Sequence, residues 1–219
     1  MALSCPFQSK PRWARRKEAR PQELLAAALD LFVERGFAAT RLDDVAKQAG
    51  VSKGTLYLYF TNKEDLFKAV VRENMVPVLG EAENIVDVHS GSSAELLREI
   101  ILGWWERIGE TKLSGITKLI IAEAGNFPEV AEFYHAEVIV RGNAMITRVL
   151  ERGIASGEFR AIDPQQATSV IAAPVMMLMM WKHSFGGPCA HHAIAPHAYL
   201  KTFLDLILDG VLQPGSKTV

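Results

Sequence analysis

Residues 52–59, SKGTLYLY, gather one ammonium (Lys53), two aliphatic hydroxyls (Ser52, Thr55) and two phenols (Tyr57, Tyr59) around Gly54, with no acid among them. Such a set donates hydrogen bonds to phosphate oxygens and base edges, and the bare glycine lets the backbone approach a groove wall. That is recognition of a polyanion, with no group transferred. A second gathering, Cys189, His191, His192 and His197 in GGPCAHHAIAPHAY, holds metal-ligand residue types. Its spacing fits no standard site, and no metal is expected. Neither a nucleophile elbow, nor a paired-carboxylate motif, nor a glycine-rich nucleotide loop framed by strand and helix is visible. No catalytic residue and no cofactor are therefore expected.

The polar set must be held by its neighbours. Leu42, Val45, Ala46 and Ala49 recur at helical spacing, and Thr40 with Asp43 three residues on makes a weak form of capping box. Gly50 supplies a residue tolerant of positive φ, and Ser52 can cap a second helix. Val51 and Leu56 stand at the positions of a hydrophobic staple. The spacing predicts helices over 41–49 and 53–59 joined by a tight turn, a helix-turn-helix over 41–60. Leu56 and Phe60, four apart, fall on its core side, whereas Tyr59 serves either core or surface. A preceding helix is expected from Pro21, suited to a first turn, to Arg35, with Leu24, Leu25, Ala28, Leu31 and Phe32 as its core stripe and Gly36 as its stop.

Charge is distributed to match. Residues 1–68 hold 12 of the 24 Lys and Arg but 8 of the 25 Asp and Glu, a net of +4, leaving −5 on the other 151. Before the first helix, Lys10, Arg12, Arg15, Arg16, Lys17 and Arg20 face the single acid Glu18, and Pro6 and Pro11 argue against regular helix there. This reads as a basic arm, either a solvated tail or an arm that follows phosphates or enters a minor groove. With 49% apolar and 22% charged residues the composition is globular. Two distant cysteines indicate no disulfide framework, no secretory signal is visible, and the longest apolar run, Val170 to Trp181, is too short to span a bilayer. A cytoplasmic protein without a membrane partner is expected.

The run GFAATRLDDVAKQAGVSKGTLYLYFTNKEDLF resembles the N-terminal domain of TetR-family (TetR/AcrR-like) transcriptional regulators. The likeness covers about residues 18–78 and includes Gly36-Phe37, Val45-Ala46, the Ala49-Gly50-Val51-Ser52 turn, Gly54-Thr55-Leu56-Tyr57 and Asn62-Lys63-Glu64-Asp65-Leu66. It implies DNA contacts at Tyr57 and Lys63, both to backbone phosphates. The residues themselves add Thr40 and Arg41, at a helix start where free N–H groups favour a phosphate, and Ser52, Lys53, Gly54, Thr55 and Tyr59. From Lys63 a further helix follows, which the resemblance implies links reader to body and transmits conformational change.

Beyond a loop at 89–93, helical patterns run over 94–109, 112–124, 128–156, 164–184 and 196–212 with no alternating strand pattern. The fold expected is all-α: a basic arm (1–17), a three-helix DNA-binding domain (18–78), and a larger helical domain for effector binding and dimerisation (79–219). The resemblance implies an effector pocket, and large adaptable side chains are candidates for its wall: Trp104, Trp105, Ile120, Phe127, Phe133, Met145, Met177 and Trp181. Each is equally a core residue. Glu123, His135 and Arg141 are polar candidates for orienting a ligand. In the last two helices, AAPVMMLMMW is apolar nearly all round, with Pro174 expected to bend it, and Tyr199, Phe203, Leu204, Ile207, Leu208 and Val211 form a wide stripe. The resemblance implies that these helices pair with their copies as a four-helix dimer interface. The expected function is a dimeric, ligand-responsive repressor of a pseudo-palindromic operator in double-stranded DNA, its small-molecule effector largely apolar. An activator or ligand-independent regulator, or more distantly an all-α enzyme or small-molecule carrier, are the alternatives.

Overall fold

A computed structural model describes residues 12–186 and 194–212, with side chains from residue 21. The first helix, α1 (Arg12–Ala39), buries the expected stripe of Leu24, Leu25, Ala28, Leu31 and Phe32. It begins at Arg12 rather than at Pro21, so Pro21 lies in its interior, where its ring nitrogen has no hydrogen to donate. Helix also replaces irregular chain in the C-terminal part of the arm; the rest of the arm lies outside the described residues. The helical path stops where expected. Gly36 has φ 84 and ψ 171, a region open essentially to glycine, and Phe37–Ala39 form a separate short turn beyond it.

Helices α2 (Leu42–Gln48), α3 (Lys53–Tyr57) and α4 (Lys63–Asn74) complete the first unit. Gly50 has φ 66, which turns the chain between α2 and α3. Ser52 caps α3 by accepting from the Thr55 N–H at 3.1 Å, and Asn62 caps α4 by accepting from the Asp65 N–H at 2.7 Å. The expected capping box at Thr40 is absent. Arg41 occupies the cap position of α2 without a side-chain bond, because Thr40 turns inward. The unit is held on Phe32, Phe37 and Phe67, whose ring centroids stand 5.5–5.7 Å apart.

The body comprises α5 (Val76–Val88), α6 (Ser93–Trp104), α7 (Ser114–Glu123), α8 (Pro128–Tyr134), α9 (Val140–Ala155), α10 (Pro164–Ser184) and α11 (Pro196–Val211). Ser92 and Glu95 form a reciprocal capping box that starts α6. Asp163 accepts from the Gln165 and Gln166 N–H groups to start α10, and Pro174 stands within that helix. The expected helices 94–109 and 128–156 are each interrupted in mode: Trp105–Gly109 extends α6 as a π-helical turn, and His135–Ile139 is a second one joining α8 to α9. Helix α10 packs between α7 and α9 and also touches α11, while α1 lies on α7 and α4 on α8. Buried residues of all these helices form one core. Among the described residues the only β feature is an isolated bridge between Phe159 and Leu212, so the chain is all-α. No described helix is long and apolar enough to cross a membrane.

Candidate nucleic-acid interface and buried cavity

Helix α3 presents the polar set outward. Ser52, Lys53 and Gly54 are exposed, Tyr57 is 46% exposed, and Leu56 points into the core. The Lys53 ammonium lies 2.8 Å from an Asp43 carboxylate oxygen and 5.9 Å from the Tyr57 ring centroid. The hydrogen bond to Asp43 raises the lysine's pKa, so the group stays a full cation. A phosphate or base edge would take it from a solvated carboxylate that holds it weakly. Ser52 and Thr55 share a hydroxyl–hydroxyl bond of 2.8 Å beside the cap. Arg41 is exposed at the start of α2, and Tyr59 is half-buried with its ring 6.5 Å from Phe60. One feature escaped the sequence reading: Leu58, at the end of α3, is 82% exposed. An apolar side chain there suits a thymine methyl. Its place on the helix face opposite Leu56 was the signal.

Two expected DNA contacts have other tasks. Thr40 is 2% exposed, and its hydroxyl is directed at the carbonyls of Gly36 (2.7 Å) and Leu31 (3.2 Å), so it cannot offer that hydroxyl to a phosphate. Lys63 reaches back to the carbonyls of Phe37 (2.6 Å) and Ala38 (3.1 Å) and sits 4.5 Å above the Phe37 ring. Its burial lowers its pKa. The same two residues are gripped through their N–H groups as well. Glu123, the last residue of α7, accepts from the N–H groups of Phe37 (2.8 Å) and Ala38 (3.1 Å). A new helical turn begins at Phe37, so its first N–H groups have no intrahelical partner, and the carboxylate supplies one. A Cβ on Gly36 would sit 2.6 Å from that carboxylate. Phe127 closes the junction, its ring 4.7 Å from Phe37.

Within the body, α5 to α10 line a cavity of about 330 Å³ that is partly open to solvent. Both π-helical turns border it: Trp104, Glu106 and Arg107 line it at one, and Tyr134, Val138 and Ile139 at the other. The extra residue of a π turn re-aims side chains, and such turns recur at functional sites. The wall is chiefly aliphatic. Its buried polar feature is a hydroxyl pair, Thr117 Oγ1 and Tyr134 Oη, 2.9 Å apart. Desolvation pushes the Tyr134 pKa up to about 12, which keeps the phenol protonated. Helix α7 therefore has Thr117, Ile120 and Ile121 on the cavity and Glu123 on the reading unit.

Comparison with known proteins meets this architecture twice. The family model described as bacterial regulatory proteins, tetR family, matches residues 24–70, and that described as tetracyclin repressor-like, C-terminal domain, matches residues 88–196. The chain belongs to the TetR family. It is a DNA-binding transcriptional regulator. Among its relatives is the HTH-type transcriptional repressor KstR2 of Rhodococcus jostii (strain RHA1), 29% identical over 206 residues, spanning 90% of this chain and 94% of that protein. The fatty acid metabolism regulator protein of Bacillus subtilis (strain 168) is 27% identical over 158 residues, 71% of this chain and 80% of the relative. The fold is also that of the Bacillus subtilis regulator FadR crystallised with stearoyl-CoA, with a TM-score of 0.70 and 23% identity over 86% of this chain and 98% of that one.

In this TetR-family chain the side chains expected to wall a pocket divide. Trp104, Ile120 and Met145 line the cavity. Trp105 does not; it is fully buried in the π turn, directed into the core. Phe127 is spent on Phe37, and Phe133 lies beneath Lys68 and Arg72, 4.8 Å from the arginine. Met177 is 46% exposed on the outer face of α10, and Trp181 packs on Phe185 at 4.9 Å. Of the polar candidates, Glu123 clamps the junction, Arg141 pairs bidentately with Glu83 across α9 and α5 (2.6 and 2.8 Å), and His135 is exposed. The sequence reading missed Thr117 and Tyr134. Thr117 could have been found, since it precedes Ile120 by three residues on the same helix face. Cys189, His191 and His192 lie outside the described residues, and His197 pairs with Glu110 at 2.8 Å.

Proposed function

We propose that this regulator is a cytoplasmic, homodimeric repressor, without enzymatic activity, that releases its operator when a small, largely apolar effector enters the cavity. The carrying observation is that α7 borders the cavity along one face and ends in the Glu123 carboxylate on the reading unit. A ligand that displaces Ile120 or Ile121 acts on the segment that orients α2 and α3. Such a ligand shifts the equilibrium only by its differential affinity for the DNA-fitting and non-fitting states. The relatives support a ligand with an apolar acyl part: one is named a fatty acid metabolism regulator, and the FadR structure holds stearoyl-CoA.

In this reading Arg41, Ser52, Lys53, Gly54, Thr55 and Tyr57 meet the DNA, with Tyr59 and Leu58 at the rim. Lys63 contributes by fixing the Phe37–Ala38 turn, with one ammonium proton left for a phosphate. The unit divides from the body near residue 78. Dimerisation uses the outer faces of α10 and α11. Val170 and Met177 on α10, Phe185 just beyond its end and Leu206 on α11 are exposed apolar side chains, and Val170 and Met177 stand seven residues apart, two turns along one face. Two-fold pairing there sets two α3 helices in successive major grooves, about 34–36 Å apart. The test is selection of a binding site from random duplex DNA, followed by anisotropy titration and light scattering. A pseudo-palindromic site and a mass near 48 kDa, twice the chain's 24.2 kDa, are expected. A monomer bound to a single half-site contradicts the reading.

A further inference from the structure

We infer that the effector is a neutral molecule with an apolar skeleton and one hydrogen-bond acceptor, a ketone or ester carbonyl, received by the Thr117–Tyr134 hydroxyl pair. The inference rests on reading the cavity as the effector site. Thr117 Oγ1 and Tyr134 Oη are 2.9 Å apart, both residues are buried, and both belong to the cavity wall. Two hydroxyls carry two protons, and one lies between the oxygens. Whichever group donates it, the other keeps a proton for which the described residues provide no acceptor. A buried donor without a partner is costly, and a ligand acceptor relieves that cost. The wall around the pair is apolar, with Leu79, Ile120, Val138, Met145, Ile171 and Val175 among its members.

Charge on the wall narrows the class. Its charged members are Glu99, Glu106 and Arg107, and Arg107 already forms an ion pair with Glu81. A ligand carboxylate inside the cavity would lose its hydration and meet no cation there, because Arg107 stands with Glu99 and Glu106 at the solvent-exposed side of the wall. A carbonyl asks only for a donor, which the buried hydroxyl pair has to spare; the half-buried Asn143 amide is the wall's other uncharged polar group. The size is also limiting. At about 330 Å³ the cavity lies at the small end of the usual range for ligand sites, which favours a compact skeleton. A second buried pair, Thr147 and Thr168 at 2.8 Å, has the same surplus proton but is not on the cavity wall. It provides an internal control.

The test uses three probes on one bicyclic skeleton, 1-decalone, decalin and decalin-1-carboxylate, titrated onto the full chain by calorimetry and by tryptophan fluorescence, since Trp104 lines the cavity. The expected order is ketone tighter than hydrocarbon by about tenfold, with the carboxylate weakest. The Thr117→Val, Tyr134→Phe double variant should bring the ketone down to the hydrocarbon's affinity while leaving the hydrocarbon unchanged, whereas each single variant, which keeps one hydroxyl proton, should retain part of the preference. Thr147→Val should change neither, and circular dichroism checks that each variant is folded. A ketone preference that survives the double variant overturns the inference, as does a carboxylate that binds more tightly than the ketone. Equal binding of ketone and hydrocarbon overturns it while leaving the cavity as the effector site. Failure of all three probes to bind at saturation removes the cavity reading as well.

Discussion

The reading unit and the cavity reach function by opposite routes. In the unit, working side chains point to solvent from helices as short as five residues, and their aim is fixed by a small aromatic core and by polar clamps at every joint. In the body, working side chains line a cavity from six helices, and two π turns adjust their aim. The first surface tolerates little movement, because its partner is rigid. The second is a space whose occupancy can move its walls. One peptide segment, Gly36 to Ala38, joins the two, with Glu123 of the body holding its N–H groups and Lys63 of the unit holding its carbonyls. The difference suggests that a signal leaves the body as a displacement of α7 and enters the unit through that segment.

The most severe way to break the contrast is Phe37→Ala. This ring touches Phe32, Phe67 and Phe127, so its loss should cost about 3–5 kcal/mol and lower Tm by roughly ten degrees. If calorimetry then resolves two transitions, unit and body are separable folding blocks. Smaller effects are expected at the clamp. Gly36→Ala combines a glycine-only backbone region with a Cβ placed against Glu123, and about 1–3 kcal/mol of destabilisation by urea titration is the expected outcome.

Lys63→Ala and Tyr57→Phe sharpen the contrast by separating positioning from contact. Loss of Lys63 should lower Tm and weaken DNA binding by roughly tenfold, with the salt slope falling by at most about one unit. Loss of the Tyr57 hydroxyl should leave Tm alone and weaken binding to specific and random DNA alike. A Lys63→Ala chain of unchanged stability would show that the carbonyl bonds hold nothing.

The smallest predicted effect is a pH dependence confined to the body. Burial, with Lys182 and Lys118 nearby, lowers the pKa of His183, whose Nε2 lies 2.8 Å from Ser114 Oγ. The unfolded chain takes up this proton near the ordinary value of 6.5, and the folded chain resists it to lower pH. The contribution is therefore complete above 6.5, declines below it, and levels off once the folded histidine protonates. His183→Gln should flatten that part of the Tm profile, while DNA affinity at pH 7.5 stays the same.

The unit was legible in the sequence because its rules are local. The stripe of Leu24 to Phe32, the Gly50 turn and the Ser52 cap each depend on residues a few positions apart. What the sequence did not show was the choice of backbone carbonyl partners. Thr40 had a surface role by position, yet the carbonyls of Gly36 and Leu31 drew it inward. Lys63 was drawn to carbonyls 25 and 26 residues earlier. In the body, helix extents were legible and the cavity wall largely was not, since periodicity gives a helix's apolar face but not which of its neighbours that face meets. Phe127 and Trp104 are equally apolar. One fills a junction and the other lines a space, and only the packing of α7 against α1 and α10 separates them.

The most direct measurement is operator affinity with and without a saturating cavity ligand, in the wild-type chain and in Glu123→Ala. The account predicts that the ligand weakens wild-type binding by about tenfold or more, and that this ratio shrinks towards one in Glu123→Ala although the ligand still binds. An equal ratio in both proteins would contradict the account and place the coupling elsewhere.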